Sequence, residues 1–133
     1  MLRVLKSSRT LHLDDLGSSE AAEWDAFVRS RPESTFCHLH GWRTIVGDLL
    51  GHQTRYLAAR TEAGELAGVM PLVRVRSRLF GDYLMSMPFL NYGGPLGDDD
   101  ALTVLTEHAL DLAAATGVDL LELRSRTELP LPD

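Results

Sequence analysis

The stretch that decides the fold is Val69-Met70-Pro71-Leu72-Val73-Arg74-Val75-Arg76-Ser77-Arg78-Leu79-Phe80-Gly81. Side chains along an extended chain alternate between two faces. Val69, Val73 and Val75 therefore share one face, and Arg74, Arg76 and Arg78 share the other. The pattern predicts a strand with an apolar side and a short basic ladder, followed by a hairpin-like reversal. Pro71 cannot donate to a ladder, so it favours an edge position or a bulge there.

Working outward, Glu62-Ala63-Gly64-Glu65 reads as a turn joining strands at Gln53–Thr61 and Leu66–Val75. In the earlier strand Tyr56 and Ala58 fall on one side, and Arg55 and Leu57 on the other. Residues 82–88 predict a further short strand. Further upstream, residues 9–14 alternate weakly and suggest a first strand. Ser18 or Ser19 offers a helix N-cap, and Ala21, Trp24, Phe27 and Val28 recur at helical spacing over 19–30. Trp24 is thereby assigned to the core, and Arg31-Pro32 stops the helix. A second helix is expected over 39–50, with Trp42, Ile45, Val46, Leu49 and Leu50 as one apolar stripe and Gly51 just past its end. Downstream, three aspartates open a helix over 98–115, which suits the positive end of its dipole. Its expected buried face is Leu102, Leu105, Ala109, Leu112 and Ala113, and Thr116-Gly117 closes it. Residues 118–123 predict a last strand with Leu121 and Leu123 on one face, and residues 127–133 a tail with two prolines. This order predicts one α/β (α+β) domain over residues 1–133, with a mixed, mainly antiparallel sheet flanked by helices.

The composition of the 133 residues, 44% hydrophobic and 24% charged, is that of an ordinary globular chain able to bury a core. A formal net charge of -6 argues against DNA or an anionic membrane surface as a partner. No run is long enough to cross a bilayer, and Met1–Ser7 lacks a continuous apolar stretch, so the cytoplasm is the expected location. The single cysteine, Cys37, excludes an intrachain disulfide and reads as a small buried hydrophobe beside Phe36.

The residues permit several chemistries. Tyr92-Gly93-Gly94-Pro95-Leu96-Gly97 precedes a helix, as phosphate loops do, but Asp98, Asp99 and Asp100 put like charge where an anion would sit. A turn that needs glycine's freedom is the favoured reading, with Tyr92 still able to line a groove. The Arg74, Arg76, Arg78 ladder is read either as a solvated strand face or as a phosphate or carboxylate site. His38, His40 and His52 lack a completing carboxylate or cysteine set, so no metal is expected and capping or surface roles are preferred.

Taken together, Trp24, Thr35-Phe36 leading to Gly41-Trp42, Gly68-Val69-Met70-Pro71-Leu72, Arg76-Ser77-Arg78-Leu79-Phe80-Gly81 and Tyr92-Gly93-Gly94-Pro95 resemble the FemAB family. The closest branch is the FemAB-like proteins linked to the exosortase (PEP-CTERM) and exopolysaccharide systems, and the match covers most of residues 20–126. The resemblance implies an N-acyltransferase with the GNAT fold. Classical members transfer amino acids from aminoacyl-tRNA to a peptidoglycan precursor and carry two GNAT-like halves, of which this chain is similar to the first. It implies Trp42, Arg78, Tyr92 and Gly93 near an acceptor groove. It also implies acyl-CoA or aminoacyl-tRNA as co-substrate with no tightly bound cofactor, and a second GNAT half or another copy as partner. The chain departs from the wider pattern in two respects. Tyr83 breaks the acyl-CoA pyrophosphate spacing that begins at Arg78, and no helical coiled-coil insert is present. Glu122, on the last strand, is read either as a base or as a solvated acid. The alternative reading is a non-catalytic binding or self-associating fragment.

Overall fold

The computed structural model of the protein describes residues 10–79, 81–86, 93–124 and 129. The alternating stretch forms the central strand β3 (Leu66–Ser77), and β2 (Gln53–Arg60) pairs with it antiparallel across a turn where Gly64 takes φ 88°. β4 (Gly81–Ser86) returns antiparallel on the other flank, from Ser77↔Gly81 to Leu72↔Ser86. β1 (His12–Asp15) adds antiparallel to the outer side of β2. β5 (Leu96–Gly97) pairs with β3 at Val69 and Gly68, and the helix α2 (Asp99–Thr116) then leads to β6 (Leu120–Glu122), parallel beside β4. The architecture is mixed α+β: a mostly antiparallel six-stranded sheet in the order β1-β2-β3-β4-β6, with β5 beside β3, flanked by helices.

Period-two alternation gives the sheet two buried faces. Tyr56, Ala58, Val69 and Val73 pack against Trp24 and Val28 of α1 (Ala21–Ser30). Leu57, Met70, Leu72 and Leu84 pack on the opposite face against Ala101, Leu105 and Ala109 of α2. On the α1 side the rings of Trp24, His40 and Tyr56 form one cluster with centroids 4.8–5.6 Å apart. α2 begins as its sequence requires: the Asp98 carboxylate accepts from the Ala101 N–H at 2.9 Å, and Gly117 ends it at φ 70°. Where α2 crosses β3 the backbones nearly touch. A Cβ on Gly68 would lie 2.6 Å from the Ala101 Cβ, so only glycine fits there.

Pro71 is neither at a sheet edge nor at a bulge. β3 is the central strand, and the irregularity in its pairing with β2 falls at Ala59/Arg60. The reason is local. Tyr56, opposite Pro71, turns its backbone N–H and C=O toward β1, where they meet the Asp15 side chain and Leu16 N–H. Pro71 is thus in a non-hydrogen-bonded pair with β2, and its missing donor faces away from β2. On that flank β4 covers Leu72–Ser77 and β5 covers Gly68–Val69, so position 71 falls between them.

Three further expectations change. The first helix has no Ser18 or Ser19 side-chain cap; residues Ser18–Glu20 form a 3-10 turn ahead of α1. The second helix is π-helical over Thr44–Leu49 after a single turn at Trp42–Arg43. Its Leu50 N–H bonds back five residues to the Ile45 carbonyl, which shifts side chains out of the i, i+3, i+4 register. Of the expected stripe only Val46 is buried, Trp42 is half-buried, and Ile45, Leu49 and Leu50 are exposed. On α2, Ala101 and Thr106 join the buried face while Leu102 is half-buried. Tyr92, residues 87–88 of the expected strand and the tail, Leu129 excepted, lie outside the described residues.

Candidate functional site

The parallel pair makes a fork. β4 and β6 are in register through Met85↔Glu122, and beyond that the ladder passes to a side chain: the Arg124 N–H donates to Ser86 Oγ at 2.7 Å. The Arg124 carbonyl accepts from the Gly94 N–H at 2.6 Å, which draws the glycine loop onto the same strand ends. Gly93, Gly94 and Ser86 are all buried here. The carboxyl ends of parallel strands in open sheets are where ligands approach, because the crossover connections splay there.

His38 ties this loop to the α1 side. Its Nδ1 accepts from the Thr35 N–H at 3.1 Å as half of a capping box, so Nε2 carries the proton and donates to the Gly94 carbonyl at 2.9 Å. Burial holds the imidazole below the ordinary histidine value, and the bond to Gly94 opposes that only in part. The Trp24 indole N–H donates to the His38 carbonyl at 2.6 Å, and the Trp42 indole N–H to the Phe36 carbonyl at 2.9 Å. Trp42 and Gly93 are therefore gathered around one short turn, Phe36–His38. His38 and His40 are buried, not on the surface, and Cys37, next to His38 in the same turn, is buried and free.

Arg78 lies elsewhere, at the β3–β4 hairpin. From the Ser86 end of β4 to its Gly81 end is about 17 Å at about 3.3 Å per residue, so Arg78 is not beside Gly93. A hollow of about 520 Å³ at the hairpin is lined by Arg76, Ser77, Arg78, Gly81, Asp82 and Asp119. Asp82 engages Arg74 through two bonds, Nε–Oδ1 at 3.0 Å and Nη2–Oδ2 at 2.6 Å, and lies 3.8 Å from Arg76. The Arg74 hydrogen bond holds the Asp82 carboxyl below its usual range. Arg74 is thereby committed to Asp82, while Arg78 is exposed and makes no ion pair with any described residue.

Among the described residues no group of three or more histidine, cysteine or acidic side chains could hold a metal ion. Glu122 is ion-paired with Arg124. Ser86 escaped the sequence reading; its only signal is a hydroxyl at the end of an apolar strand.

No protein-family model matches the chain, and no curated protein matches it. No helix among the described residues is long and apolar enough to cross a membrane.

Proposed function

We propose that this chain is the N-terminal half of a FemAB-like N-acyltransferase, transferring an acyl or aminoacyl group to an amine of a cell-wall or exopolysaccharide-related acceptor. The observation that carries the reading is the β4–α2–β6 crossover. It places one parallel strand pair at the edge of an otherwise antiparallel sheet flanked by helices, the GNAT-like class that the resemblance implies. Acyl transfer of this kind depends on holding an amine beside an activated carbonyl. The amine nitrogen adds to the carbonyl carbon, backbone N–H groups hold the oxyanion, and collapse expels the acyl-CoA thiolate or the tRNA alkoxide, which takes up the proton that the amine gives to water. In this reading Gly93 and the Ser86 hydroxyl face the carbonyl oxygen at the fork, and Trp42 flanks the acceptor. Arg78 contributes at a distance, to an extended acceptor. The donor is acyl-CoA or aminoacyl-tRNA, the site of action is the cytoplasm, and the C-terminal half is supplied by a second GNAT unit.

The test is thermal unfolding of the chain with acetyl-CoA, aminoacyl-tRNA and a UDP-linked sugar–peptide precursor in turn. A ligand at one hundred times its Kd stabilises the fold by about 2.7 kcal/mol, so a rise of several degrees with the precursor is expected. No rise with any of them rejects the acceptor-binding role.

A second reading, a self-associating fragment, is favoured by the exposed Ile45, Leu49 and Leu50 and by exposed Leu120 on the edge strand β6. Light scattering that gives a dimer mass, together with no thermal rise, selects it.

A further inference from the structure

A second hollow, about 360 Å³, opens on the α2 face of the sheet and carries charges that the proposed transfer leaves idle. Leu72 of β3, Leu84 of β4 and Leu112 of α2 give it an apolar floor. Asp15 of β1 and Arg55 of β2 stand in its wall. Asp15 is opposite Leu57 in register, so Arg55, two residues away, is its diagonal neighbour on the same face, about 7–8 Å off.

The two charges do not engage each other. Arg55 makes no ion pair with any described residue, whereas Arg74, in the same wall, is held by Asp82. Asp15 uses one carboxylate oxygen, Oδ1, to accept from the Tyr56 N–H at 3.0 Å. The last turn of α2 closes the hollow at Thr116, whose carbonyl already accepts from Arg74 Nη2 at 3.5 Å. A simple anion would meet Asp15, and a simple cation would meet Arg55. Asp15 and Arg55 are both exposed, and an apolar molecule would use neither charge.

We propose that this hollow binds a small zwitterion with an apolar side chain, the chemistry of a free aliphatic amino acid. The carboxylate lies on the planar fork of Arg55, which suits two-point recognition. The ammonium lies toward Asp15. The side chain rests on Leu72, Leu84 and Leu112. The volume is at the lower end of small-molecule pockets and suits a ligand of this size. This site lies apart from the β4–β6 fork and does not depend on the acyl-transfer reading.

Isothermal titration of the full chain with L-leucine tests it, alongside isovalerate, which lacks the ammonium, and isoamylamine, which lacks the carboxylate. L-leucine is expected to bind saturably and each half-ligand at least about tenfold more weakly, the size of one lost charged hydrogen bond. Arg55→Gln and Asp15→Asn should each weaken L-leucine by a similar factor. Asp15→Asn keeps an amide oxygen to accept from Tyr56, so its unfolding curve should match the parent. Absence of saturable heat with L-leucine overturns the proposal, as does isovalerate binding equal to L-leucine, or binding that survives Arg55→Gln. Each of these outcomes leaves the response to acyl donors and sugar–peptide precursors unchanged, so the two proposals fail separately.

Discussion

At the scale of single residues, two buried polar groups make opposite demands. The Tyr56 hydroxyl is buried without a hydrogen-bond partner among the described residues, and burial pushes its ionisation above the ordinary phenol value, so it stays neutral. Removing a polar group that has no partner releases a desolvation cost. Tyr56→Phe is therefore expected to leave stability within about 0.5 kcal/mol or to raise it, read from urea midpoints. A loss well beyond that would reveal a partner for the hydroxyl. His38 behaves otherwise, because it bonds through both ring nitrogens in its neutral form. Its folded pKa lies below the ordinary 6.5, so the unfolded chain takes up the proton first as pH falls. Its contribution is complete above that value and declines as pH drops through 6.5 toward the folded pKa. Urea unfolding at pH 7.5 and pH 5.5 should show a lower midpoint at the acid end, with the difference reduced in His38→Gln; equal midpoints would refute it. Capping was legible as one option for His38 in its sequence, but the Gly94 bond was not. It joins positions 56 residues apart, which no local pattern reports.

At the scale of elements, Arg60 is a junction. It reaches Asp14 of β1, Glu20 of the 3-10 turn and both carboxylate oxygens of Glu23 on α1, while its own strand is β2. The Arg60 hydrogen bond holds Glu23 below the usual glutamate value. A lone surface pair would matter little, but a network with two bonds to one carboxylate has the geometry that does. Arg60→Met keeps the packed stem and is expected to cost about 1–2 kcal/mol, with a smaller loss in 1 M salt as screening removes the network's share. An unchanged melting temperature in dilute buffer would contradict this. The elements themselves were largely readable. Alternation located β2 and β3, aspartates and Thr116-Gly117 bounded α2, and Arg31-Pro32 ended α1. The π-helical segment was not readable, because Ile45, Val46, Leu49 and Leu50 fit an α stripe equally well. A five-residue bond such as that from Leu50 to Ile45 distinguishes the two. The strand β5 was missed for the opposite reason: two residues carry no periodicity.

At the scale of the whole molecule, the two-faced sheet and its flanking helices followed from the alternation of valines and arginines in β3 and the apolar faces of α1 and α2. The candidate site was less legible. The glycine loop is drawn inward by the bonds of Gly94 to His38 and Arg124, which join positions far apart in the chain, and Arg78 belongs to the far end of β4. Asp15 and Arg55 come near each other through strand register, and pairing between strands that α1 separates in the chain is set by tertiary packing. Pro71 carries a further consequence. On the flank away from β2, the central strand hands over from one partner to another at a residue with no N–H to share. Such a break divides a sheet into units that open separately. Native-state hydrogen exchange should therefore resolve two cooperative groups. Amides of Leu72–Ser77, β4 and β6 should exchange together, and those of Leu66–Met70, β5 and α2 should form another group with its own opening free energy. A single common value across all of them would show that the seam transmits opening as one piece.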